Sequence, residues 1–266
     1  MAVKKEYVGN LIKRYQELTQ LTRIDTNVGR CYATDPMVES TWKPSVTTVE
    51  NIISKGIMFE RWIANFGGYN KVQEYVGKKA DDGTLVHDYI DQLVITGDID
   101  VKKDTENHIK KYLLSFLQWW NETEVLPVAS EMSLYHKDIP FSGTADLICY
   151  IDGELSLVDY KTGNEYPTSH RIQLCCYKEI FNKLFPLDPI KEIYCLYVKS
   201  GWIKKPTYKL RKYKYDSKIS KSLLYLWNFN NESNKTKINV KNERVFQNEY
   251  KIEGALNGSS SPVGTN

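Results

Sequence analysis

The sequence lacks several motifs that would identify large classes of enzyme. It has no G-x-x-x-x-G-K-[ST] loop, because Gly77-Lys78 is followed by Lys79 and position 72 is Val. Neither G-x-S-x-G nor G-x-G-x-x-G occurs. These absences argue against a built-in NTPase motor, a nucleophile-elbow hydrolase and a dinucleotide-binding turn.

Paired cysteines and long apolar runs are also missing. The five cysteines include no C-x-x-C pair, and the adjacent Cys175-Cys176 suits neither a disulfide nor a zinc site. Their odd number predicts reduced thiols. The polar start predicts no signal peptide, and no apolar run approaches the roughly 18 residues of a membrane span. We therefore expect a cytoplasmic protein without membrane contact, or one in the host cytoplasm if the source is viral.

Charge of one sign is not in large excess. The 36 Lys and Arg residues exceed the 33 Asp and Glu residues by a net charge of +3, too little to show nucleic-acid binding by itself. Lysines do concentrate between Lys199 and Lys218. With 266 residues and 41% hydrophobic content, the chain can build one large domain or two small ones.

Helical periodicity dominates the first half of the chain, and strand-like runs begin at Val125. The predicted helices cover Lys5–Leu21, a short segment opened by a Thr47/Glu50 capping box, Glu60–Phe66, Asp82 to near Gly97, and Asp104–Trp120, with a loop between the first two. The later elements are strands over Val128–Tyr135, Phe141–Ile151, Glu154–Lys161, Ile190–Lys199 and Thr207–Tyr213, and helices over about 169–184 and Ser217–Phe229.

This order of elements predicts an α+β fold with a mixed central sheet. We expect a helical N-terminal region over residues 1–124, a catalytic core over residues 125–253 and a disordered, Gly- and Ser-rich tail over residues 254–266.

Asp152-Gly153 predicts a hairpin that brings two acids together. Between apolar-rich runs, such a pair favours a two-residue turn in which the flanking residues face each other. Stepping outward along the hairpin, Asp146 then lies opposite Asp159. Lys161 is two residues further on, so it lies on the same face. The sequence therefore predicts two carboxylates and an ammonium group on one small patch.

Such a patch is suited to a divalent cation. Adjacent carboxylates repel one another unless a cation lies between them, and Mg²⁺ or Mn²⁺ prefers oxygen ligands. Lys161 cannot ligate a metal while charged, but it can hold or activate a water or neutralise a phosphate oxygen. A surface salt-bridge cluster remains the alternative, because comparable tripeptides such as Asp100-Val101-Lys102 occur elsewhere.

Glu131 is a further candidate, on the strand before Asp146. A short turn around Lys137-Asp138 would set Glu131 opposite Thr144 and on the face of the two acids. A slip of one residue would move it to the other face, so a strand glutamate paired with a surface lysine stays an open interpretation.

Two helices contribute other candidates. Gln173 and Tyr177 are four residues apart and share a helix face, where they can orient a phosphate or provide ordinary packing. His87 lies early in a helix, and an imidazole can complete an oxygen-rich metal site, most readily for Mn²⁺. A surface or satisfied core histidine is the alternative interpretation.

Three stretches resemble motifs of the PD-(D/E)xK nuclease superfamily: Ser142–Ile148, Leu157–Gly163 and His170–Tyr177. Their G-x-x-D, D-x-K-T and Q-x-x-x-Y patterns resemble the RecB-type branch, and Gly83-Thr84-x-x-His87 resembles its upstream histidine motif. The resemblance covers about residues 44–200 and extends to phage recombination nucleases, a mitochondrial single-strand exonuclease and Cas4-like nucleases. The cysteine spacing of the Cas4 iron–sulfur cluster is absent, so we expect no cluster.

The resemblance implies a restriction-endonuclease-like α/β/α core and a metal site. Asp146, Asp159, the backbone carbonyl of Tyr160 and His87 would hold Mg²⁺ or Mn²⁺. Lys161 would position the attacking water and help to deprotonate it.

It also implies how DNA is held. Glu131 matches the acidic residue usually found one strand before the metal aspartate. Gln173 and Tyr177 would support the site and touch the DNA backbone, together with Arg171 of the same motif and Lys161. The N-terminal part, with Trp62, Trp119 and Trp120, would form a wall over single-stranded DNA, unless these rings only pack in the core.

We therefore expect a metal-dependent DNA exonuclease for single strands or ends in replication, repair or recombination, with a helicase or recombination protein as an additional partner. Abundant Lys, Asn, Ile and Tyr are compatible with an AT-rich phage genome. A structure-selective endonuclease and a catalytically silent DNA-binding or assembly subunit remain alternatives, and the choice between DNA and RNA stays open.

Overall fold

A computed structural model describes residues 21–27, 29–233 and 240–245. The helices are α1 Val46–Glu50, α2 Ile57–Asn65, α3 Tyr69–Thr96, α4 Asn107–Glu122, α5 Pro167–Leu184 and α6 Ser217–Ser233. The strands are β1 Thr22–Thr26, β2 Gly29–Ala33, β3 Lys43–Pro44, β4 Val125–Leu134, β5 Gly143–Ile151, β6 Glu154–Lys161, β7 Glu192–Val198, β8 Tyr208–Tyr213 and β9 Val240–Val245. Apart from Leu21, the helix predicted over Lys5–Leu21 lies outside the described residues, as does the predicted tail.

The main sheet has five strands in the order β4-β5-β6-β7-β8. Helix α5 connects β6 to β7, and this pair alone is parallel within the sheet because a crossover helix returns the chain to the same edge. Alternate residues of the strands face opposite sides, so Ile148 and Leu157 pack toward α5 while Leu147 and Val158 pack toward α3 and α4. The predicted α+β fold with a mixed, restriction-endonuclease-like sheet between helical layers is confirmed.

A second, smaller sheet has the order β3-β2-β1-β9. Its first three strands occupy a segment that the sequence predicts as a loop, and this prediction is wrong. Each of these three strands has five residues or fewer, too short for a clear alternation, and Ile24, Cys31 and Ala33 form only a small core. Strand β9 pairs with β1 from across the predicted boundary at residue 124, a contact that local sequence patterns do not encode.

Two helix starts also differ from the predictions. Helix α1 is capped by Ser45, whose Oγ accepts a hydrogen bond of 3.0 Å from the Thr48 amide, so Thr47 and Glu50 do not form the predicted capping box. Helix α3 runs for 28 residues through Asp82-Gly83, where we predicted that a helix begins. Among the helices of the described chain, none is both long and apolar enough to cross a membrane.

Candidate active site

The predicted hairpin is present. Asp152 and Gly153 have φ values of 51° and 85°, as a two-residue turn of this kind requires. The flanking residues pair, and the antiparallel register holds out to Leu147 opposite Val158. The regular ladder ends there, one step before the two acids.

At Asp146, a side-chain hydrogen bond takes the place of the backbone pairing between β5 and β6. Asp146 Oδ2 accepts a hydrogen bond of 2.7 Å from the Tyr160 amide, which fixes the carboxylate against β6. Ala145 packs on the α5 side and Leu147 on the α4 side, although residues two apart on a regular strand share a face. The strand is therefore irregular at the acid.

The predicted pairing of Glu131 with Thr144 is wrong. Thr144 pairs with Ser133, because Leu134 pairs with Gly143 and the connection between the strands is longer than the turn we predicted. A register displaced by two residues preserves the face, so Glu131 still reaches Asp146. Glu131 has φ 48°, a left-handed conformation that is strained for a side chain of this kind and is often found at functional sites.

His87, Glu131 and Asp146 form a compact cluster. One ligand atom from each lies within 4.8 Å of the other two. His87 Nδ1 is 3.4 Å from Glu131 Oε1 and 3.7 Å from Asp146 Oδ2. Burial lowers the pKa of His87, but the two carboxylates outweigh burial and raise this pKa to about 9. Burial raises the pKa of Asp146, against the opposing effect of the imidazole.

Asp159 and Lys161 form a second, adjoining pair. Lys161 Nζ is 2.6 Å from Asp159 Oδ2, and the aspartate is only 1% exposed. Its other oxygen, Oδ1, is buried without a hydrogen-bond partner among the described residues. Burial raises the pKa of Asp159 despite Lys161, while Asp159 and Asp146 overcome burial and raise the pKa of Lys161. Lys161 is therefore held in its charged form.

Gln173 and Tyr177 lie together on α5, as predicted. Gln173 Nε2 donates a 3.0 Å hydrogen bond to the Tyr177 hydroxyl, and burial raises the pKa of that hydroxyl well above its usual value. A Cβ at position 143 would collide with the Tyr177 ring, so Gly143 is required where β5 begins. This requirement explains the Gly of the G-x-x-D motif as a packing constraint beside the acids.

The other predicted site residues differ in their placement. The Tyr160 ring packs edge-on to His87 with centroids 5.6 Å apart, and its amide holds Asp146. Arg171 is not brought to the acids: its Nε donates to the Lys214 carbonyl at 2.9 Å, and its side chain lines a groove with Arg211.

The structure adds Glu50, which sequence reasoning assigned to a helix cap. Glu50 accepts a hydrogen bond from Ser169 and interacts with Lys161 and Asp159. Burial raises the pKa of Glu50, while Ser169 and Lys161 lower it. The one sequence signal that could have corrected the role of Glu50 is Ser45: with Ser45 chosen as the N-cap, Glu50 would not have been assigned to a capping box.

Behind Asp159 lies a buried polar chain that the sequence does not reveal. Cys195 Sγ is 3.8 Å from Asp159 Oδ2 and from His170 Nδ1, and His170 Nδ1 is 2.7 Å from the Tyr197 hydroxyl. Burial and the nearby Lys161 lower the pKa of His170 to about 4, so its ring is neutral. These three side chains lie behind the Asp159 carboxylate on the α5 side of the sheet and support it.

Comparisons with known proteins bear on this site. A family model described as the PD-(D/E)XK nuclease superfamily matches residues 61–249, a range that contains every predicted site residue. Among solved structures, the chain is similar to an alkaline exonuclease (LHK-Exo) from Laribacter hongkongensis, with 10% identity and a TM-score of 0.37, over 73% of this chain and 91% of that chain. No curated protein matches.

The structural likeness has a low identity and a low TM-score, so the family assignment follows from the family model, which spans well over half of the chain. The RecB-type branch, the Cas4-like character and the phage origin stay predictions. The chain belongs to the PD-(D/E)XK nuclease superfamily.

Proposed function

We propose that this nuclease is a Mg²⁺- or Mn²⁺-dependent deoxyribonuclease that degrades single-stranded DNA or DNA ends as an exonuclease. One observation carries the proposal: the His87, Glu131 and Asp146 ligand atoms converge beside the Asp159–Lys161 pair in a chain of the nuclease family. Burial raises the pKa values of Asp146 and Asp159, and such carboxylates are stabilised when a cation lies among them.

The donor set fits a hard divalent cation. Asp146, Asp159 and Glu131 offer carboxylate oxygens, the Tyr160 carbonyl is a further oxygen donor, and His87 favours Mn²⁺ among the oxygen-preferring metals. The buried Asp159 Oδ1, which has no hydrogen-bond partner in the described part of the chain, is the oxygen expected to face an ion. When bound, the cation would neutralise charge that develops on the phosphate.

The surrounding side chains have separate tasks in this proposal. Lys161 has a raised pKa and stays charged, so we assign to it the holding of the attacking water and the neutralisation of a phosphate oxygen, rather than acceptance of a proton. Gln173 donates a hydrogen bond to the buried Tyr177, whose ring packs against Gly143, so we assign to Tyr177 the orientation of Gln173 and to Gln173 the contact with the DNA backbone beside the acids. Arg171 is a DNA contact outside this cluster.

The preference for strand form follows from the chemistry of the substrate. Phosphodiester groups are the same in every sequence, so a site built on phosphate contacts distinguishes ends and strand form rather than sequence. A role in replication, repair or recombination, in the cytoplasm and beside a helicase or recombination protein, is consistent with such an activity.

End-labelled linear and circular single-stranded DNA test the proposal. Incubated with Mn²⁺, the protein should degrade the linear strand and leave the circle intact. Cleavage of the circle would show that the protein is an endonuclease and not an exonuclease. Binding of DNA without cleavage of either substrate would contradict both activities and identify a silent DNA-binding subunit. RNA of the same sequence, in a parallel reaction, decides the sugar preference.

A further inference from the structure

The segment from Lys55 to Asp82, here called the arm, is exposed to an unusual degree for a pair of helices. Helix α2 buries none of its residues, and α3 buries only Val72 and Asp82 before Gly83. Helices normally bury an apolar stripe, and most of their stability comes from that packing. The arm therefore extends from the body with most of its side chains in solvent.

Four aromatic rings gather on the arm. Phe59, Trp62, Phe66 and Tyr75 have ring centroids 5.1–6.4 Å apart, with tilted or edge-on planes. Tyr69 is 65% exposed at the start of α3, and Tyr75 is 46% exposed. A partly exposed cluster of rings is a surface on which planar groups can stack.

Cationic side chains are interleaved with these rings. Across the arm there are five cations and four anions: the cations are Lys55, Arg61, Lys71, Lys78 and Lys79, and the anions are Glu60, Glu74, Asp81 and Asp82. Lys79 pairs with Asp82, whereas the other four make no salt bridge with any residue that the structure describes. Lys55 Nζ lies 4.9 Å from the Phe59 ring centroid, so charge and aromatic surface meet directly.

The arm begins at the active site. A Cβ at Gly83 would lie 3.5 Å from the Thr162 hydroxyl, so α3 passes directly over the residue that follows Lys161. One turn further along the same helix, His87 joins the acid cluster. In the other direction, a helical rise of about 1.5 Å per residue places Tyr75 roughly 12 Å beyond Gly83.

We propose that the arm is a stacking platform for single-stranded DNA that leads one strand into the site. The inference rests on the proposed function, since it assigns the strand form that the same site receives. Stacking requires unpaired base faces, and the rings and cations of the arm offer contacts to the bases and the phosphates of a single strand. A duplex keeps its base faces covered and offers the rings nothing to stack on.

The continuity of the arm with the active site, together with four cations that make no salt bridge to a described residue, favours DNA over a protein partner. The rings form one contiguous cluster, and the charged residues Arg61, Lys71 and Lys78 lie next to them along the sequence. The phosphates of a strand are complementary to these cations.

Binding and cleavage by the full-length protein test the platform separately. Fluorescence anisotropy with a labelled oligothymidylate, in EDTA to prevent cleavage, compares wild type with Trp62→Ala, Tyr75→Ala and the conservative Trp62→Phe. Base stacking of about 1–3 kcal/mol predicts that each Ala variant weakens binding by roughly fivefold or more, while Trp62→Phe keeps most of the affinity. Tyr225→Ala on α6, where the ring is 72% exposed, is the matched control and should bind like wild type.

A small phosphodiester separates the arm from the chemistry. Hydrolysis of bis(p-nitrophenyl) phosphate with Mn²⁺ should be unchanged in Trp62→Ala, whereas the KM for single-stranded DNA should rise. If wild type hydrolyses neither substrate, the proposed function fails, and the anisotropy comparison still decides the arm. Unchanged oligothymidylate affinity in both Ala variants would overturn the platform. The platform would also be overturned if the Ala variants lost only their binding to phosphatidylcholine–phosphatidylserine vesicles, a result that would assign the arm to a lipid surface.

Discussion

The floor of the site and the arm above it are built in opposite ways. The floor consists of Asp146, Asp159 and Lys161 on two strands whose neighbours are almost completely buried in two cores. The arm buries almost nothing, although α3 continues from it directly into the site through His87. The difference teaches that positioning charge for chemistry requires surrounding packing, whereas contact with a flexible strand requires free surface.

Removal of Lys161 is expected to have the largest effect and to act on chemistry alone. In Lys161→Ala, cleavage of single-stranded DNA should fall by about 10²–10³-fold or more, because a charge aimed at the reacting phosphate is lost. Oligothymidylate affinity in EDTA should stay near that of wild type, since the arm is intact. Single-turnover cleavage and anisotropy measure the two quantities.

Lys183→Ala, an exposed lysine near the end of α5, is the matched control and should leave both quantities unchanged. Unchanged turnover in Lys161→Ala would refute the floor as the catalytic centre. An equal loss of binding and turnover would instead make Lys161 a DNA contact without a separate chemical role.

His87 lies where the arm helix meets the floor, and its protonation should control metal binding. The pKa of His87 is raised to about 9 by Asp146 and Glu131, while an imidazole ligates a metal only when neutral. Below that pH the ion must displace a proton, so Mn²⁺ affinity should rise by up to about tenfold per pH unit and level off above it. Calorimetry at several pH values measures the slope.

In His87→Ala, the rise of Mn²⁺ affinity with pH between neutral pH and about 9 should be shallower by one displaced proton per bound ion. The Mn²⁺ affinity at high pH should fall by about tenfold or more. His136→Ala, in the loop after β4, should retain the wild-type slope. A slope that persists in His87→Ala would show that the displaced proton comes from a carboxylic acid.

Much of the floor could be predicted from the sequence because it depends on local rules. The Asp152-Gly153 turn fixes the register of the hairpin as far as Leu147 and Val158, and the two acids follow one step further on, where β5 becomes irregular. Glu131 reached the correct neighbourhood although its predicted partner, Thr144, was wrong, because the register was displaced by an even number of residues.

The rest depends on contacts between distant segments. We predicted that a helix begins at Asp82-Gly83, whereas α3 continues through these residues. An exposed pattern that contains glycine does not reveal that the helix continues outward as the arm. The roles of Glu50 and Cys195 depend on α1 and β7 meeting the floor from far along the chain. The pairing of β1 with β9 has the same origin.

Two glycine substitutions, one beside the floor and one in the arm, should change the stability of the protein by small amounts and in opposite directions. Gly143→Ala places a methyl group against the Tyr177 ring and should destabilise the protein by about 1–3 kcal/mol, seen as a lower Tm. Gly77→Ala in the arm meets nothing within 4 Å and should stabilise the helix by about 0.4–1 kcal/mol, because alanine has fewer unfolded conformations to lose.

The size and location of the second effect matter more than its sign. If the arm opens without the body, Gly77→Ala should slow amide hydrogen exchange around position 77 by about two- to fivefold and leave the global Tm unchanged. If arm and floor unfold together, the Tm should rise instead, and the contrast between a rigid floor and a separately opening arm would be lost. Gly201→Ala, which also meets nothing within 4 Å but lies outside both regions, should change neither exchange in the arm nor cleavage.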